Sequence, residues 1–270
     1  MSQPSVLLLR TAGTNCDEET RFAFEQAGAA VEPVHVRALC QKPALLDSHR
    51  IIAFPGGFSY GDDLGSGVVH AHELVQRLRE PLARFVERGG LAIGICNGFQ
   101  VLVKTGLLPG PSYLKNGEGA DGPSAGLAAT LTHNNSQRFE DRWVTLRVEK
   151  TSSPFLHGAD SRLVEFPVAH GEGKFVTRDP GMLKRIVADG QVAFRYVTRE
   201  GTKPGYPENP NGSQEDIAGI VDETGRVLGL MPHPERHALP WHHPRWTRSG
   251  MKDEGDGVFL FRNAVNHAKG

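Results

Sequence analysis

Residues 89–100 read GGLAIGICNGFQ. A short apolar run, LAIGI (91–95), ends in a cysteine held between Gly94 and Gly98, and a helix-like stretch follows at once. An apolar run of this length, bounded by glycine, reads as a strand buried on both faces, the kind a parallel sheet contains. A cysteine that only filled space would need no small residue on either side. A sharp strand-to-helix turn does need them. It forces the residue at its apex into a sparsely populated backbone conformation and brings the residues two positions away into contact. Gly94-Ile95-Cys96-Asn97-Gly98 therefore fits the G-x-C-x-G form of a nucleophile elbow, with sulfur in place of oxygen.

Outward from this strand the N-terminal half alternates. Strands are expected at 5–10, 31–36 and 50–54. Helices are expected at 16–28, stopped by Gly28, and at 70–90, bent at Pro81 and stopped by Gly89. Alternation of apolar strands with helices predicts an α/β fold, a mostly parallel central sheet with helices on both faces. Ligands bind such sheets beyond the C-terminal strand ends, where PGGFSYG (55–61) and Cys96-Asn97-Gly98 fall. The C-terminal half adds expected strands at 142–148, 191–197, 216–222 and 226–231, the last two joined as an antiparallel hairpin by Glu223-Thr224-Gly225, and helices at 179–190 and 258–268. Residues 109–126 and 203–216 read as loops. No repeat or linker divides the chain, so residues 1–270 read as a single domain.

Bulk properties exclude several classes. A net charge of −1 gives no footprint for nucleic acid or a membrane surface. The apolar runs are too short to span a bilayer, and the first residues lack a secretory pattern. The three cysteines, Cys16, Cys40 and Cys96, are odd in number and contain no C-x-x-C pair. That points to a reducing compartment and a cytoplasmic protein. Cys16 and Cys40 read as structural.

A free thiol has a pKa of about 8.5, so little of it is thiolate at neutral pH. A helix N-terminus contributes about 0.3–1 kcal/mol toward ionising it, less than one pKa unit. A nearby imidazolium supplies more, so Cys96 needs a histidine. Of twelve histidines, His233 in GLMPHPERH (229–237) follows an apolar strand at a proline-bounded turn, with Glu235 two residues on. In extended chain those two side chains point the same way, so Glu235 can orient the imidazole. His170, with Glu172 close behind it in HGEG (170–173), is the rival base; strand-end position favours His233. The backbone amides of Gly57 and Asn97 are candidate oxyanion donors. His70, His72, His237, His242 and His243 match no closed zinc spacing and read as solvated faces, so no metal is expected.

PGG, GICNGFQ and MPHPE, in this order, resemble the class I (triad) glutamine amidotransferases. TAGTNCDEE (11–19), PGGFSYGDDL (55–64), LTHNNSQRF (131–139), AHGEGKF (169–175), YPENPNGS (206–213) and MPHPERH (231–237) resemble more closely the glutaminase subunits of phosphoribosylformylglycinamidine synthase. The resemblance runs from about residue 5 to the C-terminus and implies the flavodoxin-like fold of that class. It implies that Cys96 attacks the side-chain amide of glutamine to form a thioester, that His233 moves the protons and that Glu235 orients His233. It also implies an oxyanion hole of Gly57 and Asn97, and glutamine binding by Gly56, Gln100, His170, Gly171 and Glu172. Ammonia would pass to a synthetase subunit that uses ATP and Mg²⁺ to make formylglycinamidine ribonucleotide from formylglycinamide ribonucleotide in purine synthesis. Some relatives need a third small subunit.

This chain has no G-x-x-x-x-G-K-[ST] phosphate loop, so no cofactor is expected on it. It departs from the pattern in lacking an arginine after GDDL and in a longer stretch at 240–256, whose Trp241 and Trp246 read as packing rather than as partner anchors. Competing readings are an amidotransferase subunit for another acceptor, a same-fold cysteine hydrolase, and a non-catalytic interaction protein. The intact Cys-His-Glu set argues against the last.

Overall fold

The computed structural model describes residues 3–113 and 126–270, so most of the loop expected over 109–126 lies outside the described residues. In chain order the strands are β1 (Ser5–Arg10), β2 (Ala30–His35), β3 (Ile51–Phe54), β4 (Leu91–Ile95), β5 (Ala129–Thr132), β6 (Glu140–Val148), β7 (Leu163–His170), β8 (Lys174–Thr177), β9 (Val192–Val197), β10 (Ile217–Val221) and β11 (Val227–Leu230). The helices are α1 (Asp17–Gln26), α2 (Val36–Gln41), α3 (Val68–Glu87), α4 (Asn97–Lys104), α5 (Pro180–Ala188), α6 (Trp246–Ser249) and α7 (Val258–Ala268). Pro81 does not interrupt α3.

Nine strands form one sheet in the order β2-β1-β3-β4-β11-β10-β9-β6-β7, and β5 pairs with β8 separately. From β2 to β11 every pairing is parallel; from β11 onward every pairing is antiparallel. β3, β4 and β11 are buried at every position, which is why they read as unbroken apolar runs. The connection β1–α1–β2 steps one way along the sheet and β3–α3–β4 the other, so right-handed crossovers place α1 and α3 on opposite faces. Phe24 of α1 meets Phe261 of α7 edge-to-face at 4.9 Å, and α3 packs on α4.

The sequence reading missed β7. Its inward residues Val164, Phe166, Val168 and His170 alternate as a strand should, but Pro167 interrupts the pattern. Proline is tolerated because β7 is the edge strand. The chain after β11 covers that edge. Pro167 O accepts the His233 N–H at 2.8 Å, Glu165 O pairs with His237 Nδ1 at 2.7 Å, and Glu165 N–H donates to Asp256 Oδ2 at 3.1 Å. The chain over 233–256, which includes the long 240–256 stretch, thus closes a sheet edge. Its tryptophans differ from the expectation, since Trp241 is 54% and Trp246 39% exposed. Trp143 packs instead, edge-on to the rings of His237 and His243 at 5.1 and 4.6 Å. Those two histidines are buried, as is His70, and not on a solvated face.

The elbow glycines are set by close approach. A Cβ on Gly98 would stand 1.9 Å from Phe54 O, and one on Gly94 would stand 2.6 Å from Gly98 O. Gly98→Ala is expected to destabilise the protein by about 3 kcal/mol, read as a lower urea midpoint, because α4 cannot retreat from β3 without losing its packing.

Candidate active site

Three neighbouring strands deliver the three motifs. Phe54 of β3 pairs with Gly94 of β4, and Ile95 of β4 pairs with Leu230 of β11. PGG, Cys96 and MPHPE therefore leave the same end of the sheet side by side, although the chain separates the last two by more than a hundred residues. The Cys96 N–H donates to Leu230 O at 2.8 Å and fixes the elbow to the strand that carries His233.

Cys96 caps α4 at φ 51°, ψ −107°, an arrangement that costs about 1–3 kcal/mol and persists only because its surroundings impose it. The residue is 5% exposed. Its thiol points toward Ala169 O, 3.7 Å away at the end of β7.

His233 Nδ1 lies 2.6 Å from Glu235 Oε1, with both side chains buried. The contact is made by a tight turn over 234–237 rather than by the extended chain expected from sequence. With Nδ1 engaged, Nε2 is the ring atom without a hydrogen-bond partner. Burial alone would strip the proton from this ring. The Glu235 carboxylate and then the Cys96 sulfur outweigh it, and His233 is raised well above the usual imidazole range.

His170 behaves oppositely. Burial, reinforced by the charge of His233, pushes it down to about 3. Asn134 Nδ2 donates to the carbonyls of Arg138 and His170, so its Oδ1 is the atom that faces His170 Nδ1, at 3.2 Å, and accepts the Gly173 N–H at 3.0 Å. His170 is thus a neutral ring carrying its proton on Nδ1.

The remaining predicted residues gather around α4. Thr14 bridges Gly57, while the Asn15 N–H donates to Gly56 O and the Phe58 N–H to Gly13 O. That pattern leaves Gly57's own N–H facing away from the Thr14 segment. Gly57, at φ +146°, is in a conformation that disfavours side chains. Asn97 N–H opens α4; its side chain accepts from Ser59 N–H and donates to Asp62 Oδ1 at 3.2 Å and to Gln100 Oε1 at 3.1 Å. Gln100 Nε2 donates to Glu172 O at 2.6 Å, so Gln100 ties the 171–173 turn to α4. Gly171 and Glu172 stay partly open to solvent, and Glu172 Oε2 accepts from Ser66 N–H.

A profile of the CobB/CobQ-like glutamine amidotransferase domain matches residues 3–268. The chain belongs to this family. It is 49% identical to phosphoribosylformylglycinamidine synthase subunit PurQ of Dehalococcoides mccartyi over all of this chain and 99% of that protein. The same subunit of Archaeoglobus fulgidus is 39% identical, with 97% and 96% of the two chains covered. Among solved structures, PurLQS from Thermotoga maritima superposes with a TM-score of 0.72 at 32% identity, covering 98% of this chain and 99% of that one.

In this amidotransferase, sequence reasoning missed several residues that organise the site. Asp62 anchors the loop after PGG through Asn97, Ser66 and Gly67, and Asn134 holds the His170 turn. Both lie in quoted motifs, GDDL and HNNS, where a buried polar residue was the available signal. Cys16 was read as structural. Its sulfur lies with His233 and Glu235 in a group whose ligand-type atoms are all within 4.8 Å of one another. The Arg236 guanidinium donates to that sulfur at 3.1 Å, a resident cation that opposes a metal ion there.

Proposed function

We infer that this chain is a glutaminase subunit that hydrolyses glutamine and delivers ammonia to a synthetase converting formylglycinamide ribonucleotide to its amidine in purine synthesis. One observation carries the chemistry. A sulfur, an imidazole and a carboxylate meet at two adjacent strand ends, with the imidazole oriented by a 2.6 Å contact and held basic by its two neighbours. The full-length PurQ relatives support the acceptor, and the PurLQS neighbour supports an assembly with the synthetase subunit.

The Cys96 thiolate attacks the side-chain amide carbon of glutamine. The oxygen of the tetrahedral intermediate is received by the N–H groups of Gly57 and Asn97, and His233 protonates the departing nitrogen. His233 then takes a proton from water, the thioester is hydrolysed to glutamate, and Glu235 keeps the ring in one tautomer throughout. Gly56, His170, Gly171 and Glu172 line the glutamine pocket, and Gln100 holds the turn that bears Glu172. ATP and Mg²⁺ belong to the synthetase partner, and the complex works in the cytoplasm. Among the described residues, no helix is long and apolar enough to cross a membrane.

The test is a pull-down followed by a coupled assay with glutamine, ATP and formylglycinamide ribonucleotide. Synthesis dependent on both the captured synthetase and this chain is expected. Ammonia release that never couples to that acceptor would favour a different amidotransferase. The isolated chain is expected to show weak glutaminase activity; full activity without the partner would contradict the coupling.

A further inference from the structure

Cys16 sits where the start of α1 meets the oxyanion segment. The N–H groups of Asn15 and Cys16 donate to Gly56 O at 3.3 and 3.2 Å and tie this loop to the PGG turn. The side chain is 1% exposed. A buried cysteine that only packs is surrounded by hydrocarbon. This one donates to Asn15 Oδ1 at 3.2 Å and accepts from Arg236 Nη2 at 3.1 Å. It lies within 4.8 Å of a ring nitrogen of His233 and a carboxylate oxygen of Glu235. A Cβ on Gly56 would stand 3.1 Å from its sulfur and 2.9 Å from His233 Cε1, so sulfur, ring and oxyanion backbone form one contact layer. Arg236, next to Glu235 in sequence, also approaches Glu19 of α1 at 3.9 Å.

We propose that Cys16 is a positioning residue for the glutaminase reaction: its sulfur, clamped by Arg236, holds the His233 ring and the Gly56–Gly57 backbone in register with Cys96. The proposal rests on the glutaminase reading. A polarisable sulfur against an imidazolium stabilises its charge, and the side-chain contact with Cys16 is among the causes that raise His233. The other titratable and charged groups around that ring are Glu235 on its own turn, Cys96 at the elbow, His170 at the end of β7, and Arg236 behind Cys16. Replacing Cys16 alters its contacts with Asn15, Arg236 and His233 and leaves Glu235, Cys96 and His170 unchanged.

The experiment compares Cys16→Ser, which keeps a donor and an acceptor, with Cys16→Val, which is bulkier by about one methyl group and loses both, in the complex reconstituted with its synthetase. The readouts are kcat and KM for glutamine across pH, and the rate of Cys96 alkylation by iodoacetamide followed by peptide mass spectrometry. Expected for Cys16→Val is a kcat at least about tenfold lower with KM little changed, an alkaline limb of kcat/KM moved to lower pH, and slower alkylation at neutral pH. Cys16→Ser recovers most of each. Serine ranking above valine in folded yield also supports the polar role. Valine ranking above serine, or a wild-type limb and wild-type alkylation in the valine variant, overturns it and leaves Cys16 a packing residue. Alkylation needs no glutamine. If no glutaminase activity can be reconstituted, an alkylation difference between the variants still supports the positioning role while the functional reading fails.

Discussion

Cys96→Ala abolishes glutamine-dependent synthesis by the reconstituted complex, by at least about 10⁴-fold, and leaves ammonia-dependent synthesis at the wild-type rate. The asymmetry follows from where the sulfur sits. Cys96 is at the apex of the turn between β4 and α4, and its thiol reaches toward the end of β7 rather than into the sheet core. Removing one atom there deletes the nucleophile without opening a cavity between helices and sheet. The strained backbone at φ 51° is unchanged, because alanine is forced into it by the same neighbours. Ammonia supplied from solution bypasses the chain altogether. Parallel assays with glutamine and with an ammonium salt check this. Loss of both activities would mean that the complex no longer assembles and that Cys96 is structural.

The part of this site that could be read in the sequence is the part built by short-range rules. Gly94 and Gly98 announce the elbow because a turn that sharp tolerates no side chain beside it, and the 1.9 Å approach of a Gly98 Cβ to Phe54 O is the contact responsible. The strands β3, β4 and β11 announce themselves because both faces are buried. What the sequence could not show was their adjacency, since β4 and β11 become neighbours only through the register Ile95↔Leu230. The β7 edge was hidden by Pro167, and the turn over 234–237 by the assumption of extended chain. Cys16 was hidden most thoroughly. Nothing local distinguishes a thiol that packs from one that meets Arg236 and His233, 220 and 217 positions away. Likewise, His170 and His233 both have an acid two residues on. Both are buried, and only their partners separate them, an amide for one and a carboxylate for the other.

That separation gives the second large effect. His233→Ala lowers the glutaminase rate by at least about 10²-fold, the low end for loss of an acid–base group. Glu235→Gln keeps the ring in place and lowers kcat/KM at least about tenfold, because an amide cannot stabilise the imidazolium. Its pH profile carries a definite sign. In the wild type His233 is raised above its unfolded value, so the ring keeps its proton beyond the pH at which a free imidazole loses it, and the stability it contributes is complete below about pH 6.5 and lost as pH rises through the folded value. Without the Glu235 carboxylate, burial still opposes the charge and less opposes burial. The alkaline limb of kcat/KM must then move to lower pH, and an upward move would contradict the assignment. His170, near 3, is already neutral throughout the working range and does not change charge there. His170→Asn should therefore leave the limb where it stands, even if glutamine binds less well. If instead His170→Ala proves far more damaging to the rate than His233→Ala, the base is the imidazole on β7, and the 2.6 Å contact between His233 and Glu235 is an ordinary buried ion pair.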